Sequence, residues 1–152
     1  MYTFFLIVES PVSSDWPMEL LKNLGHVYQD DGYFLVVAPA GMHHGWISVS
    51  EVEPTMENQS DMELVASVIK NPTRFMVEGR DVKTNFATQL LFALDGSANA
   101  VIENNQGCIA NVSAFQSLAK AGIQWLWLAK ADDSEQRAAD NLINALSLPA
   151  VL

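Results

Sequence analysis

The chain contains one cysteine and three histidines, the side chains best suited to nucleophilic chemistry. Cys108 directly follows Gly107, and a thiol becomes a strong nucleophile where a helix terminus or a cationic neighbour lowers its pKa. The alternation of Cys108 with Ala110 instead predicts a hairpin strand in which the cysteine is a small buried residue. A small enzyme that uses Cys108 or His43 is therefore a rival interpretation, and the pattern does not favour it.

Metal and nucleotide sites have little support in the sequence. His43 and His44 are adjacent, and neighbouring side chains of a strand point to opposite faces, so the pair is poorly placed to chelate one ion. The eight glycines form neither a P-loop nor the GxGxxG pattern of dinucleotide-binding proteins. We therefore expect no metal and no cofactor.

Two pairs of carboxylates have the chemistry of a general acid and base, because crowding raises the pKa of one member of such a pair. Asp30-Asp31 precedes Gly32 and fits a tight turn, whereas Asp132-Asp133 fits the start of a helix. Both places favour aspartate for local hydrogen bonds. The pattern therefore predicts structural roles for these pairs.

The densest charge lies in SVSEVEPTMENQSDMELV, residues 48–65, which holds five carboxylates and no basic residue. Up to residue 69 there are ten acids against one base, and from residue 70 onward eight acids against seven bases, so the balances are −9 and −1. Such a field repels nucleic acid and anionic membranes, whereas it attracts a basic protein and speeds its association. The plainer alternative is that the charge serves solubility.

We predict a partner-binding surface in this acidic first half. Trp46 opens the strand that leads into the acidic stretch, and tryptophan is favoured at binding hot spots, although a place in the core is the alternative. Trp125 and Trp127, two apart on an apolar pattern, are predicted to lie in the core. The predicted surface comprises Asp30, Asp31, Trp46, Glu51, Glu53, Glu57, Asp61 and Glu63.

The periodicity of the apolar residues predicts an α+β fold, with a mixed or antiparallel sheet and helices packed on it. Asp15, Asp81 and Asp132 are each placed to cap a helix. Residues 61–69 fit either a short helix or a strand. Strands or hairpins are predicted at 3–9, 26–39, 45–53, 73–79, 99–112 and 123–129, and helices at 16–24, 82–94, 113–121 and 132–146.

The two halves of the chain read alike, each as a strand, a helix and a hairpin. FFLIVES, ELLKNLG and FLVVA in the first half are echoed by FMVEGRD, QLLFALDG and CIA in the second. Two β-α-β-β units in one sheet would produce this echo, and so would the convergence of two ordinary motifs. Because no proline- or glycine-rich linker divides the chain, we predict a single domain, residues 1–152.

Composition places the chain among cytoplasmic proteins. It is 49% hydrophobic and 17% charged, as globular proteins are, and a lone cysteine suits a reducing compartment. The run YTFFLIV has no basic residue ahead of it and is stopped by Glu9, unlike a secretory signal. No stretch approaches the ~20 apolar residues of a membrane span.

The order FMVEGRD, TNFATQLLFALDG, AVIENNQGCIA and SAFQSL, within residues 73–118, resembles bacterial immunity proteins of the contact-dependent and type VI kinds. The resemblance implies a cytoplasmic inhibitor, monomeric or homodimeric, that binds the carboxy-terminal domain of a cognate toxin and occludes its active site. A cytosol-acting toxin of the nuclease type would present a basic cleft, which agrees with the acidic first half. The resemblance assigns no individual residue.

An acidic effector-secretion chaperone is the main rival among binding proteins. Such chaperones usually begin with a helix and dimerise, whereas this chain is predicted to begin with a strand at residues 3–9. The prediction of a strand there favours the immunity protein.

Overall fold

The computed structural model describes residues 1–53, 59–94 and 99–128, apart from the side chains of residues 59–62 and 64. In this part of the chain seven strands form one sheet in the order β2-β3-β4-β5-β1-β6-β7, and every neighbouring pair is antiparallel. The predicted α+β fold is confirmed. Of the two predicted kinds of sheet, mixed and antiparallel, the described strands form the antiparallel one. The strands are β1 (Tyr2–Glu9), β2 (Val27–Asp30), β3 (Tyr33–Val37), β4 (Gly45–Val52), β5 (Pro72–Asp81), β6 (Ala100–Glu103) and β7 (Ile109–Asn111).

Helices in the described residues connect these strands and cover the sheet. The segment 61–69, which the sequence left open, lies almost wholly in a helix that Pro72 follows at the start of β5. The helices are α1 (Trp16–Leu21), α2 (Gln59–Val68), α3 (Phe86–Ala93) and α4 (Val112–Lys120), with 3-10 turns at Met42–His44 and Trp125–Trp127.

The main core lies between the first face of the sheet and helices α1, α3 and α4. Phe4 and Leu6 of β1 are fully buried there, because β1 is a central strand and its alternate residues all point to this face. The apolar residues of α3, which recur at helical spacing, pack against them. Phe86, Leu90, Leu91 and Leu94 are all buried, as the helical spacing predicts.

The second face of the sheet carries a smaller core under α2. Val65 and Ile69 of the α2 segment pack on Ile7, Val101 and Ile109, which belong to β1, β6 and β7. Helix α2 thus covers the half of the sheet that lies away from the β2–β3 hairpin.

The β2–β3 hairpin turns where the sequence predicts. Asp31 and Gly32 have φ angles of 45° and 80°, the left-handed conformations that a two-residue type I′ turn needs at both central positions. Aspartate and glycine adopt this conformation more readily than other residues, so the turn is encoded locally.

Residues 123–128, the described part of the predicted strand 123–129, do not form a strand. Trp125–Trp127 forms a 3-10 turn, in which Trp125 is buried and Trp127 is 52% exposed, so only the first tryptophan belongs to the core. Residues two apart lie on different sides of a 3-10 turn. The buried Asn104 amide stabilises the turn by donating to the carbonyls of Trp125 (2.8 Å) and Leu128 (2.9 Å).

Each half of the chain contains the predicted strand, helix and hairpin, but the two hairpins take different places in the sheet. Hairpin β6–β7 lies directly beside β1, whereas hairpin β2–β3 is separated from β5 by the additional strand β4. The two β-α-β-β series therefore do not occupy equivalent places in the sheet, because only one hairpin lies beside the first strand of the other series.

The predicted last helix, 132–146, lies outside the described residues. In the described part of the chain, none of the helices has the length and apolar character to cross a membrane.

Candidate functional site

Strand pairing brings two separate acidic segments to one end of the sheet. Asp30 pairs with Tyr33, and Tyr33 pairs with Ser50 on β4, so the residue after Ser50 emerges beside the β2–β3 turn. We call the exposed carboxylates at the ends of β2, β3 and β4, namely Asp30, Asp31, Glu51 and Glu53, the acidic rim.

The acidic rim acts electrostatically as one patch. Strands lie about 4.8 Å apart, so Asp30 is about 10 Å from Ser50 across the sheet, which equals about one screening length at 0.1 M salt. Arg74, which pairs in register with Val52, is only 9% exposed and is engaged in interactions of its own. Its guanidinium is therefore not presented on the surface with the rim.

The carboxylates of the acidic rim lie on both faces of the sheet, because successive side chains of a strand point to opposite faces. Ile47 and Val49 are buried on the first face, and Glu51 follows them on the same face where the strand leaves the core. Asp30 points to the second face, because its partner Tyr33 belongs to the row that includes Ser50 and Met76. The rim therefore presents carboxylates on both sides of the sheet end.

Two exposed tyrosines that the sequence reasoning missed lie beside the rim. Tyr28 and Tyr33 are 57% and 39% exposed on the second face, the face of Asp30. Tyr28 also makes an edge-to-face contact with His26, with ring centroids 4.6 Å apart. The alternation in VYQDDGYF already indicated these aromatics, since they occupy the outward positions of a half-buried hairpin.

Trp46 lies away from the acidic rim. It pairs with Val37 and Arg80 at the opposite end of β4, five residues and therefore about 17 Å along the strand from Glu51. Its side chain is half-buried. The predicted surface that joins Trp46 to the carboxylates is therefore not formed, because residues far apart along an extended strand are also far apart in space.

The acidic stretch 48–65 is divided between two elements. Glu63 is exposed on α2, which covers the other half of the sheet, so it lies apart from the rim. Asp61 belongs to α2, but its side chain is not among those described, and Glu57 lies outside the described residues. Of the predicted surface, the structure thus brings together Asp30, Asp31, Glu51 and Glu53.

Cys108 and His43 do not form a catalytic pair. Cys108 is buried just before β7, and His43 is exposed in the turn before β4, four strands and about 19 Å of sheet away. His43 and His44 lie on a 3-10 turn rather than a strand, so their rings meet edge to face with centroids 4.3 Å apart instead of pointing to opposite faces. Within the described ranges, no cluster of three or more histidine, cysteine, aspartate or glutamate side chains is placed to hold a metal ion.

A cavity of about 360 Å³ opens at the acidic rim on the first face. Its roof is the chain that precedes α1, which is anchored by a hydrogen bond from the Ser10 amide to the Asn71 carbonyl (3.0 Å) and by one between the hydroxyls of Ser10 and Thr73. Its lining includes Phe34, Phe75 and Val12 on the apolar side and Glu51, Gln29 and Ser13 on the polar side. We call it the Glu51 cavity.

Comparison of the chain with protein-family models, with curated proteins and with solved structures found no match.

Proposed function

We propose that this protein is an immunity protein, a non-enzymatic inhibitor that binds the carboxy-terminal domain of a basic toxin and occludes its active site. The observation that supports this proposal is the acidic rim with Tyr28 and Tyr33 beside it. Tyrosine is enriched among the residues that dominate protein–protein binding energies, and the carboxylates supply the charge that complements a basic partner.

The chemistry of the rim suits a nuclease-type toxin. A nuclease must bind phosphates, and it does so with clustered lysine and arginine. Carboxylates spaced along a sheet end can occupy the same cleft, and electrostatic steering would speed the encounter by about 10- to 1,000-fold. The inhibitor would act in the cytoplasm, as a monomer or a homodimer, where such a toxin meets its substrate.

One observation bears on the rival enzyme. The separation of Cys108 from His43 gives no support to an enzyme that pairs them.

The genetic test is to read the frame immediately upstream of the gene and co-express its carboxy-terminal domain with this protein. We expect a toxic, basic domain, survival of cells that carry both, and co-purification of the two chains. A neighbourhood of metabolic enzymes, or a toxic domain that kills despite this protein, would contradict the proposal.

The binding test neutralises the acidic rim in the variant Asp30→Asn/Asp31→Asn/Glu51→Gln/Glu53→Gln. We expect the association rate, measured by surface plasmon resonance, to fall at least about 10-fold at low salt and to depend less steeply on salt. The control is Glu19→Gln/Glu63→Gln, which removes exposed carboxylates on α1 and α2, away from the rim. An equal loss in both variants would show that net charge, and not the rim, governs binding.

A further inference from the structure

The Glu51 cavity combines two surfaces that call for different ligand chemistry. Phe34 and Phe75 form an apolar floor that offers no hydrogen-bond partner, so a polar group placed against it would lose its hydrogen bonds to water. Glu51 is exposed at the mouth and takes part in no ion pair among the described residues. A ligand that fills this space must therefore be apolar along its length and able to pair with a carboxylate at one end.

The volume of the cavity and the charge around it restrict the chemical class of ligand further. At about 360 Å³ the cavity is near the lower end of the range for small-ligand sites, roughly 300 to 1,000 Å³. Anionic ligands are disfavoured, because Glu51 belongs to the acidic rim and its field repels them. A cation on a short aliphatic stem fits both requirements, since lysine and arginine lay their methylenes along apolar surface while the charged head stays near water.

We propose that the Glu51 cavity binds one lysine or arginine side chain of the basic partner. The aliphatic stem packs on Phe34 and Phe75, and the ammonium or guanidinium group pairs with the Glu51 carboxylate at the mouth. Gln29 and Ser13 add hydrogen-bond acceptors for the donors that the carboxylate does not satisfy. This assignment rests on the proposed function for the source of the side chain, whereas the cavity itself is testable without any toxin.

The test is a titration of the purified, isotope-labelled chain, followed by the amide chemical shifts of Ser13, Gln29 and Gly32. The probes are the blocked amino acids Nα-acetyl-lysine methylamide and Nα-acetyl-arginine methylamide, with Nα-acetyl-norleucine methylamide as the uncharged control. We expect a dissociation constant of about 1 mM for a basic probe, as suits a single side chain, and at least about 10-fold weaker binding of norleucine.

Two variants separate the cavity from the general negative field. Glu51→Gln should weaken binding of the basic probes about 10-fold, whereas Glu63→Gln, which neutralises an exposed carboxylate on α2 over the other half of the sheet, should change it less than about 2-fold. Circular dichroism will confirm that both variants are folded. Equal effects of the two substitutions, or equal binding of norleucine, would overturn the proposal.

A free cation is the other source of the same chemistry. Agmatine carries a guanidinium group on a short aliphatic stem without a peptide backbone, so it represents a small-molecule ligand. If agmatine binds more than about 10-fold tighter than the blocked arginine, the occupant is a small molecule, and the proposal of a partner side chain is wrong. If the probes bind but the protein does not protect cells from a toxin, the proposed immunity function is wrong and the cavity assignment stands. If the protein protects cells but the probes do not bind, the cavity assignment is wrong and the proposed function stands.

Discussion

The Tyr2 hydroxyl is a buried polar atom that finds no hydrogen-bond partner among the described residues. The side chain is only 5% exposed and faces Gly79 across the β1–β5 pair, where an added Cβ would collide with the hydroxyl. Burial raises the pKa of the Tyr2 phenol well above its usual range, and the Asp81 carboxylate raises it further. Glycine is therefore required at position 79, and the tyrosine hydroxyl carries a desolvation cost.

We predict that Tyr2→Phe stabilises the protein by about 1 kcal/mol at neutral pH, because it removes an unsatisfied buried hydroxyl while keeping the ring. Above pH ~10 the unfolded chain ionises this tyrosine and the folded chain does not, so the wild type loses about 1.4 kcal/mol per pH unit through this group. Urea denaturation from pH 7 to 11 should show that this slope is absent from Tyr2→Phe.

The matched control for Tyr2→Phe is Tyr28→Phe, which removes the hydroxyl of an exposed tyrosine. Its stability and pH slope should stay near the wild-type values. A Tyr2→Phe variant less stable than wild type would mean that the hydroxyl makes a stabilising bond, contrary to the geometry described above.

At the scale of elements, two aspartates that are both predicted to cap a helix behave differently. Asp81 ends β5, and its carboxylate accepts hydrogen bonds from the amides of Phe86 (2.9 Å) and Ala87 (3.2 Å) and from the Thr84 hydroxyl (2.7 Å). Asp15 holds the N-cap position of α1 but makes no capping hydrogen bond. The Asp81 carboxylate thus accepts from the first amides of α3, as predicted, although Asn85 holds the N-cap position. The prediction for Asp15 holds for its position and not for a capping hydrogen bond.

We expect Asp81→Ala to lower the free energy of unfolding by about 1 to 2 kcal/mol, because it leaves the first amides of α3 without their acceptor. Asp15→Ala should change it by less than about 0.5 kcal/mol, as surface substitutions usually do. Thermal or urea denaturation of the two variants measures the difference. Equal destabilisation by both would show that helix dipole charge, and not these hydrogen bonds, determines the effect.

For the whole molecule, a net charge of −10 means that folding brings carboxylates closer together than they are in the unfolded chain. The acidic rim concentrates four of them within a screening length or so. Neutralising the rim should therefore stabilise the protein even though it weakens binding, as expected where surface charge serves a partner rather than the fold.

We predict that the four-fold rim variant melts ~2 °C or more above the wild type at low salt, since it relieves repulsion between like charges. Raising NaCl to about 0.5 M should raise the wild-type melting temperature more than that of the variant, because salt screens the charges that the variant lacks. Differential scanning calorimetry at both salt concentrations checks this. A variant that melts below the wild type would show that the rim carboxylates make stabilising contacts.

The sequence by itself determined the features that depend on near neighbours along the chain. The Asp31-Gly32 turn, the apolar stripe of α3 and the passage of β4 from core to solvent at Glu51 follow from backbone preference and side-chain period, so each was readable locally. The α+β class follows from the same periodicities.

Only the tertiary structure decided which distant residues meet. The order and register of the strands place Glu51 beside the Asp31 turn, leave Trp46 at the opposite end of β4 and send Glu63 to α2 on the other half of the sheet. The Asn104 side chain likewise imposes a turn on a segment whose apolar pattern predicts a strand. These pairings depend on contacts between segments far apart in the sequence, for which a local pattern carries no signal.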